Sequence, residues 1–125
     1  MFVINDDGTI YLTRGDFATF EITAKKSEDE NYIFQVGDVV RFTVTEKKRC
    51  DNIVLTKDVT VTEEGKKVAM ILDQTETKFG EIIHKPKDYW YEVVLNPETT
   101  PQTIVGYDAN GPKVLRLFPE GDDSV

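Results

Sequence analysis

The sequence predicts an all-β protein, an antiparallel sandwich or barrel of roughly seven or eight short strands. Apolar side chains alternate with polar ones in short runs rich in β-branched and aromatic residues, as half-buried strands require. Turn residues separate these runs at intervals of about 8–12 residues, a spacing typical of sandwiches and barrels. One segment, residues 73–88, lacks the alternation and is treated separately below.

The first strands are predicted on either side of two tight turns. The segment NDDG, residues 5–8, predicts a turn before a short strand at 10–12. The segment FATFEITA, residues 17–24, predicts a longer strand whose buried face consists of Ala18, Phe20, Ile22 and Ala24.

Three more strands are predicted in the middle of the chain. In VVRFTVTEK the inward residues are Val40, Phe42 and Val44, and the outward residues are Arg41, Thr43 and Thr45. The segment IVLTKDVTV, residues 53–61, predicts a strand with an irregularity near Lys57 and Asp58. After TEEGKK, where Gly65 is expected to take a positive φ in a hairpin, KVAMIL buries Val68, Met70 and Leu72.

The last strands follow the same rule. In YWYEVVLN one face consists of Tyr89, Tyr91, Val93 and Leu95, so Trp90 faces the other way, either exposed or covered by residues 80–88. The segments QTIVGY and KVLRLF complete the set, and Asn110-Gly111 between them is a strong hairpin signal.

The segment DQTETKFGEIIHKPKD, residues 73–88, predicts one short helical crossover. It begins with a residue suited to cap a helix and continues through polar residues to Phe79-Gly80. Pro86 would end any helix before the next strand. We therefore expect about one or two helical turns that cross between the sheets.

Charge and composition limit the classes of partner. The chain has a formal net charge of −8, which disfavours nucleic acid and anionic membrane surfaces as partners. Its single cysteine, Cys50, excludes an intramolecular disulfide and a cysteine-cluster metal site. No signal peptide or membrane-spanning segment is evident, so we expect synthesis and folding in a reducing cytoplasm. The length of 125 residues predicts one domain.

The tripeptide Arg14-Gly15-Asp16 has two interpretations. It is known as a receptor-binding motif, which would require a long mobile loop. Here it lies between two predicted strands, where Gly15 can adopt a positive φ and Asp16 can hydrogen-bond within its own turn. We expect a structural turn, with Arg14 directed to solvent or to the opposing sheet.

Three motifs, taken in order, resemble a family of small bacteriophage domains. They are Leu12-Thr13-Arg14-Gly15-Asp16, the segment VGDVVRFTV at 36–44, and YWYEVVL at 89–95. This family includes the N-terminal domain of phage baseplate upper proteins and prophage-encoded virion accessory proteins. The resemblance extends from about Ile10 to Phe118, and it departs from the family pattern at Phe17 (usually Thr), at Glu92 (usually Asp), and in the insertions EIIHKPKD and NPETTPQT.

The resemblance implies an immunoglobulin-like antiparallel β-sandwich with a non-enzymatic, structural role in a virion. The expected partners are other virion proteins of the capsid, tail, neck or baseplate, and copies of this chain in a homo-oligomer. The expected location is the virion, after synthesis in the bacterial host cytoplasm. The alternative is a receptor- or carbohydrate-binding module that acts at the host surface. Within the single domain we expect an ordered core at about 10–118, an N-terminal extension at 1–9 and a frayed tail at 119–125.

Side chains that could support catalysis or metal binding are few. A serine or thiol mechanism would have to use His84, the one histidine, with Ser27, Ser124 or Cys50, and nothing in the sequence orients them together. The acidic segments NDDG, SEDE and GDD lack the ligand pattern of a calcium loop. We therefore predict no enzyme activity, no cofactor and no metal.

Exposed apolar and aromatic residues are the best candidates for contacts with other proteins. The N-terminal segment MFVIN is a candidate strand for addition to a neighbouring subunit, and the 80–88 insertion with Trp90 is a candidate docking surface. The predicted interface residues are Phe2, Ile4, Phe79, Ile82, Ile83, His84 and Trp90.

Overall fold

The computed structural model describes residues 2–5, 8–27, 29–47, 51–106 and 112–120, and in this part of the chain it shows strands and no helix. The all-β prediction is confirmed. The strands are β1 (Phe2–Ile4), β2 (Ile10–Thr13), β3 (Ala18–Ile22), β4 (Lys25–Ser27), β5 (Glu30–Asn31), β6 (Val39–Lys47), β7 (Asp51–Thr60), β8 (Val68–Leu72), β9 (Lys87–Leu95), β10 (Gln102–Val105) and β11 (Lys113–Phe118). The described residues thus form eleven strands, more than the seven or eight predicted, because β1, β4 and β5 are too short to show a pattern in the sequence.

Seven of these strands form one large sheet. Its order is β1-β2-β11-β9-β6-β7, and β10 also pairs with β9. Strand β6 pairs with one edge of β9. Strands β10 and β11 lie end to end along the other edge of β9, with β10 opposite residues 93–95 and β11 opposite residues 87–91. Strand β9 is therefore the centre of the sheet, with neighbours along its whole length.

One pairing in the large sheet is parallel, which corrects the prediction of an antiparallel sandwich. Strand β11 runs parallel to β2, with Leu115 opposite Ile10 and Leu117 opposite Leu12. The period-two alternation shows which side chains are buried but not the direction of a neighbouring strand. The sheet is therefore mixed, and strands from the two ends of the chain lie side by side.

A second layer covers the inner face of the large sheet, which gives the molecule a sandwich-like core. It consists of β3 paired with β8, and the short hairpin β4-β5 follows β3. The ring of Phe20 in β3 lies 5.3 Å from that of Phe42 in β6 and 5.7 Å from that of Phe2 in β1. The inward faces predicted for β3, β6, β8 and β9 are confirmed, since their residues form a single buried cluster or pack against it.

The predicted helical crossover is wrong, although its cap is present. Asp73 Oδ1 accepts hydrogen bonds from the main-chain N–H groups of Thr75 and Glu76, and Glu76 Oε1 accepts one from Asp73 N. One main-chain bond of α-helical spacing follows, from Thr77 N to Asp73 O, and one bond between residues three apart, from Lys78 N to Thr75 O. The chain then turns away, because Thr77 is bonded to residues of another turn and Gly80 has a φ of +72°.

Two local predictions also differ from the structure. The irregularity in β7 is a bulge at Val54, between the pairs Val44–Leu55 and Thr45–Ile53, and not at Lys57 and Asp58. Gly65 does not have a positive φ and joins no hairpin; it forms an isolated bridge with the buried Phe34. The turn at residues 5–8 is closed by a 2.9 Å bond from Gly8 N to Asn5 O, whereas the predicted turn at Asn110-Gly111 and the thiol of Cys50 lie outside the described residues.

Candidate functional site

The tripeptide Arg14-Gly15-Asp16 is part of the framework. Gly15 has a φ of +89°, and its N–H donates to Thr77 Oγ1 at 3.1 Å, while Thr77 Oγ1 donates to Asp16 O at 2.8 Å. Thr77 is fully buried, so these bonds connect the turn after β2 to the segment before β9. The tripeptide is a tight, internally bonded turn.

The guanidinium of Arg14 is directed into the protein. Only 7% of this residue is exposed, and its Nη2 donates to Lys78 O at 3.1 Å. Its Nη1 lies 3.9 Å from Glu120 Oε2, and Glu120 Oε1 lies 3.4 Å from Lys78 Nζ. Arg14 therefore joins three segments of the chain, and it cannot be presented together with Asp16 to a receptor without local unfolding.

The predicted interface residues lie in the loop at 79–84, in strand β9 and in strand β1. Phe79 and Ile83 are buried in the core, where the ring of Phe79 meets that of Tyr89 edge to face at 5.2 Å. Ile82 and His84 are exposed on the same loop, Ile82 with 62% of its surface. The loop thus has apolar residues that anchor it and one aliphatic side chain that faces outward.

Trp90 lies on the outer face of the large sheet and is half-buried. Its cross-strand neighbours are Thr45 on β6 and Val114 on β11, and Thr45 Oγ1 donates to Trp90 O at 3.5 Å. Thr43 and Thr45 were predicted to face outward, and they lie on this outer face, yet both are buried. The outer face around Trp90 is consequently partly apolar and closely packed.

Strand β1 forms one outer edge of the large sheet. Phe2 and Ile4 lie in this strand, so residues 2–4 belong to the sheet and not to a separate extension. Val3 and Ile4 are 43% and 45% exposed, whereas Phe2 stacks on Phe20. The edge is apolar, and one of its side chains is anchored in the core.

The hydrogen-bonding groups at this edge can be assigned from the register. Asn5 N donates to Thr9 O at 2.9 Å, so Asn5 and Thr9 form a hydrogen-bonded pair. Such pairs alternate along an antiparallel ladder, so Val3 also bonds to β2, and the N–H and C=O groups of Phe2 and Ile4 point away from the sheet. No strand of the described chain occupies that side of β1.

The opposite outer edge, β7, has the features that protect an edge from pairing. Lys57 lies on the inward face of the strand, half-buried, and its Nζ donates to Glu76 Oε2 at 2.8 Å. The bulge at Val54 and the positive φ of Asn52 distort the strand. Inward charges and bulges are established means by which proteins prevent edge-to-edge association. The two outer edges of the sheet therefore differ in their capacity to accept a strand.

A hydrogen-bonded group of polar side chains fixes the loop before β6. Asp38 Oδ2 accepts bonds from Tyr32 Oη at 2.7 Å and from Gln35 N at 2.9 Å, and Asn96 Nδ2 donates to Asp38 Oδ1 at 3.2 Å. Desolvation opposes ionisation of Asp38, but these three donated bonds outweigh it and hold its pKa below the ordinary value. The hydrogen bond to Asp38 raises the pKa of Tyr32.

Of the side chains considered for a serine or thiol mechanism, the structure describes only that of His84. In the described part of the chain, no group of three or more His, Cys, Asp or Glu side chains is arranged to hold a metal ion. His84 is exposed in a surface loop, while Cys50, Ser124 and the side chain of Ser27 lie outside the described residues. No helix among the described residues is long and apolar enough to cross a membrane.

Compared with models of protein families, with curated proteins and with solved structures, the chain matches none of them.

Proposed function

We propose that this chain is a non-enzymatic structural protein of a bacteriophage particle, an immunoglobulin-like β-sandwich that binds neighbouring virion proteins of the capsid, tail, neck or baseplate. The three motifs that resemble the phage family support the proposal, because they coincide with framework elements: the β2–β3 turn, strand β6 and strand β9. The net charge of −8 supports protein partners over nucleic acid or anionic membranes.

The observation that most favours a docking role is the open edge of β1. Its exposed Val3 and Ile4 lie beside outward-pointing main-chain groups of Phe2 and Ile4, and this edge has neither an inward charge nor a bulge. A neighbouring subunit can add an extended segment here, with main-chain bonds for affinity and apolar contacts for specificity. Many weak copies of such a contact add up to stable attachment in a lattice.

Analysis of purified parent particles tests the proposal directly. We expect the chain in their mass spectra at many copies per particle, and ordered density for its sandwich in an electron-microscopy reconstruction. A chain that is made in the infected host but missing from purified particles contradicts the proposal.

The β1 edge is tested by incorporation into particles. The Ile4→Pro substitution removes an N–H that points away from the sheet, so the internal ladder remains intact. We expect incorporation to fall by about tenfold or more, since a lost bond and a misfitted edge weaken each contact by about 1.4 kcal/mol or more. The control is Ile53→Lys on β7, where the isoleucine is 60% exposed against 45% for Ile4, and this variant should leave incorporation unchanged.

The alternative function is a receptor- or carbohydrate-binding module at the host surface, and receptor binding through the Arg14-Gly15-Asp16 tripeptide has less support. Receptor binding through the tripeptide would require Arg14 to be exposed, and this residue is buried and bonded to Lys78. In a cell-adhesion assay we expect the wild-type protein and Arg14→Lys to be equally inactive. Adhesion by the folded wild-type protein that Arg14→Lys abolishes would favour the alternative.

A further inference from the structure

A cleft of about 550 Å3 opens at the end of the sandwich opposite the Arg14-Gly15-Asp16 turn. It lies between the segment that follows β3 and the segment that joins β9 to β10. The nine residues of β9 separate it from the loop that contains Ile82, a distance of about 30 Å at the rise of an extended strand. Phe2 is opposite Leu12, and Leu12 is opposite Leu117, which pairs with Lys87. The proposed docking edge on β1 therefore lies at the Lys87 end of β9, and the cleft lies at the Leu95 end.

The charge of the cleft is opposite to that of the protein. Lys25 and Lys26 line it and no Asp or Glu does, although the whole chain has a net charge of −8. Among the described residues Lys25 forms no ion pair, and Lys26 reaches only the exposed Glu30, at 3.8 Å. An exposed pair at that distance contributes little, so both ammonium groups remain available to an anion.

One wall of the cleft is held rigidly. Tyr32 and Asn96 line it, and both are bonded to Asp38 behind them. Asn96 also accepts a bond from Val39 N on its Oδ1 at 2.8 Å and has a φ of +50°, a conformation that non-glycine residues adopt at an energetic cost. Because their polar atoms are already satisfied within the protein, Tyr32 and Asn96 give the cleft a fixed shape.

The remaining lining suits a ligand with hydroxyl groups. Thr23, Thr100 and Thr103 supply hydroxyls and Gln102 supplies an amide, all of them exposed. The buried Ala24 and Leu95 provide an apolar floor. Clefts of roughly 300–1,000 Å3 with an apolar floor and a few polar groups are typical small-molecule sites. The set combines positive charge, hydroxyl-binding groups and a small apolar surface.

We propose that this cleft binds a small anionic, polyhydroxylated ligand of the acidic saccharide class, a sugar carboxylate or a sugar phosphate. Lys25 and Lys26 bind the anionic group, and the threonine hydroxyls and Gln102 bind the sugar hydroxyls. The apolar face of the sugar ring contacts the floor. This binding does not depend on the proposed virion role, because it uses none of the residues of the β1 edge.

The test measures binding to the full chain by isothermal titration and by NMR chemical-shift changes. The ligands are glucuronate and glucose 6-phosphate, compared with glucose and inorganic phosphate at concentrations up to ~10 mM. We expect both acidic sugars to bind at least about fivefold more tightly than glucose or phosphate, and we expect binding to weaken as salt rises.

The variant Lys25→Gln/Lys26→Gln should weaken binding of the acidic sugars by about tenfold, since each ammonium contributes a charge-assisted bond. The matched control is Lys85→Gln/Lys87→Gln, which makes the same change in net charge at the other end of β9 and should alter affinity by less than about twofold. Equal effects of the two double variants would show that only the net charge matters, and would overturn the proposal.

The remaining outcomes also decide the proposal. A glucuronate-terminated oligosaccharide that binds as tightly as free glucuronate supports a glycan end as the source of the ligand, and binding of the free sugar acid alone supports a soluble metabolite. The proposal is overturned if none of the acidic sugars binds, if inorganic phosphate binds as tightly as glucose 6-phosphate, or if a glutamate-rich peptide binds more tightly than either sugar.

Discussion

Gly80 shows at the scale of one residue why the segment before β9 turns where it does. Its φ is +72°, and a Cβ at this position would lie 2.5 Å from the hydroxyl of Tyr89, whose side chain is buried. Both the main-chain conformation and the space therefore require glycine. The turn brings Phe79 into the core, where its ring contacts that of Tyr89.

We predict that Gly80→Ala destabilises the protein by about 2–4 kcal/mol, from strain at a positive φ together with displacement of Tyr89. Urea denaturation measures the change. Two control glycines separate the causes: Gly37→Ala has a positive φ but open space, so it should cost about 1 kcal/mol. Gly65→Ala has neither obstacle and should be nearly neutral. An equal loss in all three variants would contradict this account.

Asp38 makes the stability of the fold depend on pH. Its folded-state pKa lies below the ordinary value of 3.8, so the stability it provides is complete above the unfolded pKa and is lost as the pH falls through the folded pKa. We predict that Asp38→Asn lowers the free energy of unfolding at pH 7 by about 1–3 kcal/mol, through weakened bonds from Tyr32, Gln35 and Asn96.

The check is the free energy of unfolding of both proteins between pH 2 and pH 7. The difference between wild type and Asp38→Asn should begin to shrink as the pH falls below the ordinary pKa of 3.8, where Asp38 becomes protonated in the unfolded state, and should be lost as the pH falls through the lower folded-state pKa. A difference that stays constant down to pH 2 would mean that ionisation of Asp38 contributes nothing.

At the scale of an element, the hydrogen-bonding pattern of β1 predicts that proline has different effects on stability at two adjacent positions. Val3 and Ile4 are neighbours with similar exposure, yet the N–H of Val3 points to β2 and that of Ile4 points to the open edge. Val3→Pro should therefore lower the free energy of unfolding by about 2–3 kcal/mol, and Ile4→Pro by about 1 kcal/mol or less.

Thermal unfolding of the two variants measures this contrast. Val3→Ala and Ile4→Ala serve as controls for the lost side chains. Equal losses for the two prolines, after correction by the alanine variants, would refute the assigned orientation of β1.

The elements that the sequence predicted well are those with one fully buried face. In β3, β6, β8 and β9 every second side chain enters the core, so the alternation is complete and visible. The short crossover failed for the opposite reason: its cap is local, but the chain leaves the helical path at Thr77, whose hydroxyl bonds to Asp16, 61 residues away. Strands of two or three residues, such as β4 and β5, contain too little alternation to be recognised.

The candidate site was predicted less completely than the fold. The exposure of Ile82 and the framework role of Gly15 were expected from local sequence, and the burial of Phe79 and Ile83 was not. The cleft was missed because its lysines and Tyr32 come from one hairpin, whereas Asn96, Thr100 and Gln102 come from the distant segment that follows β9. Only the packing of the two layers brings these segments together.

At the scale of the whole molecule, the parallel pair β2–β11 connects the ends of the chain. Leu12 and Leu117 are both fully buried and lie opposite each other, although almost the entire sequence separates them. This pairing has a high loop-closure cost and forms only when the intervening strands are in place. The two ends should therefore unfold together with the core in one transition.

A double-mutant cycle measures this connection. Leu12→Val and Leu117→Val should each cost about 1–2 kcal/mol, and the double variant should depart from additivity by about 0.5 kcal/mol or more, because the two side chains are neighbours. Val40→Ala combined with Leu12→Val is the control, since three strand spacings, about 14 Å, separate β2 from β6. Additive behaviour of the Leu12–Leu117 pair would argue against direct packing across β2 and β11.

The arrangement of β1, β2 and β11 has a practical consequence for engineering. Phe2 lies opposite Leu12, and Leu12 lies opposite Leu117, so the first and last strands reach the same pole of the sheet only two strand spacings apart, about 10 Å. A linker of a few residues would bridge this gap. We therefore expect that β11 can be joined to β1 in a circular permutant whose new ends lie in another loop. Because these two strands end close together, the domain is also suited to insertion into a surface loop of another protein.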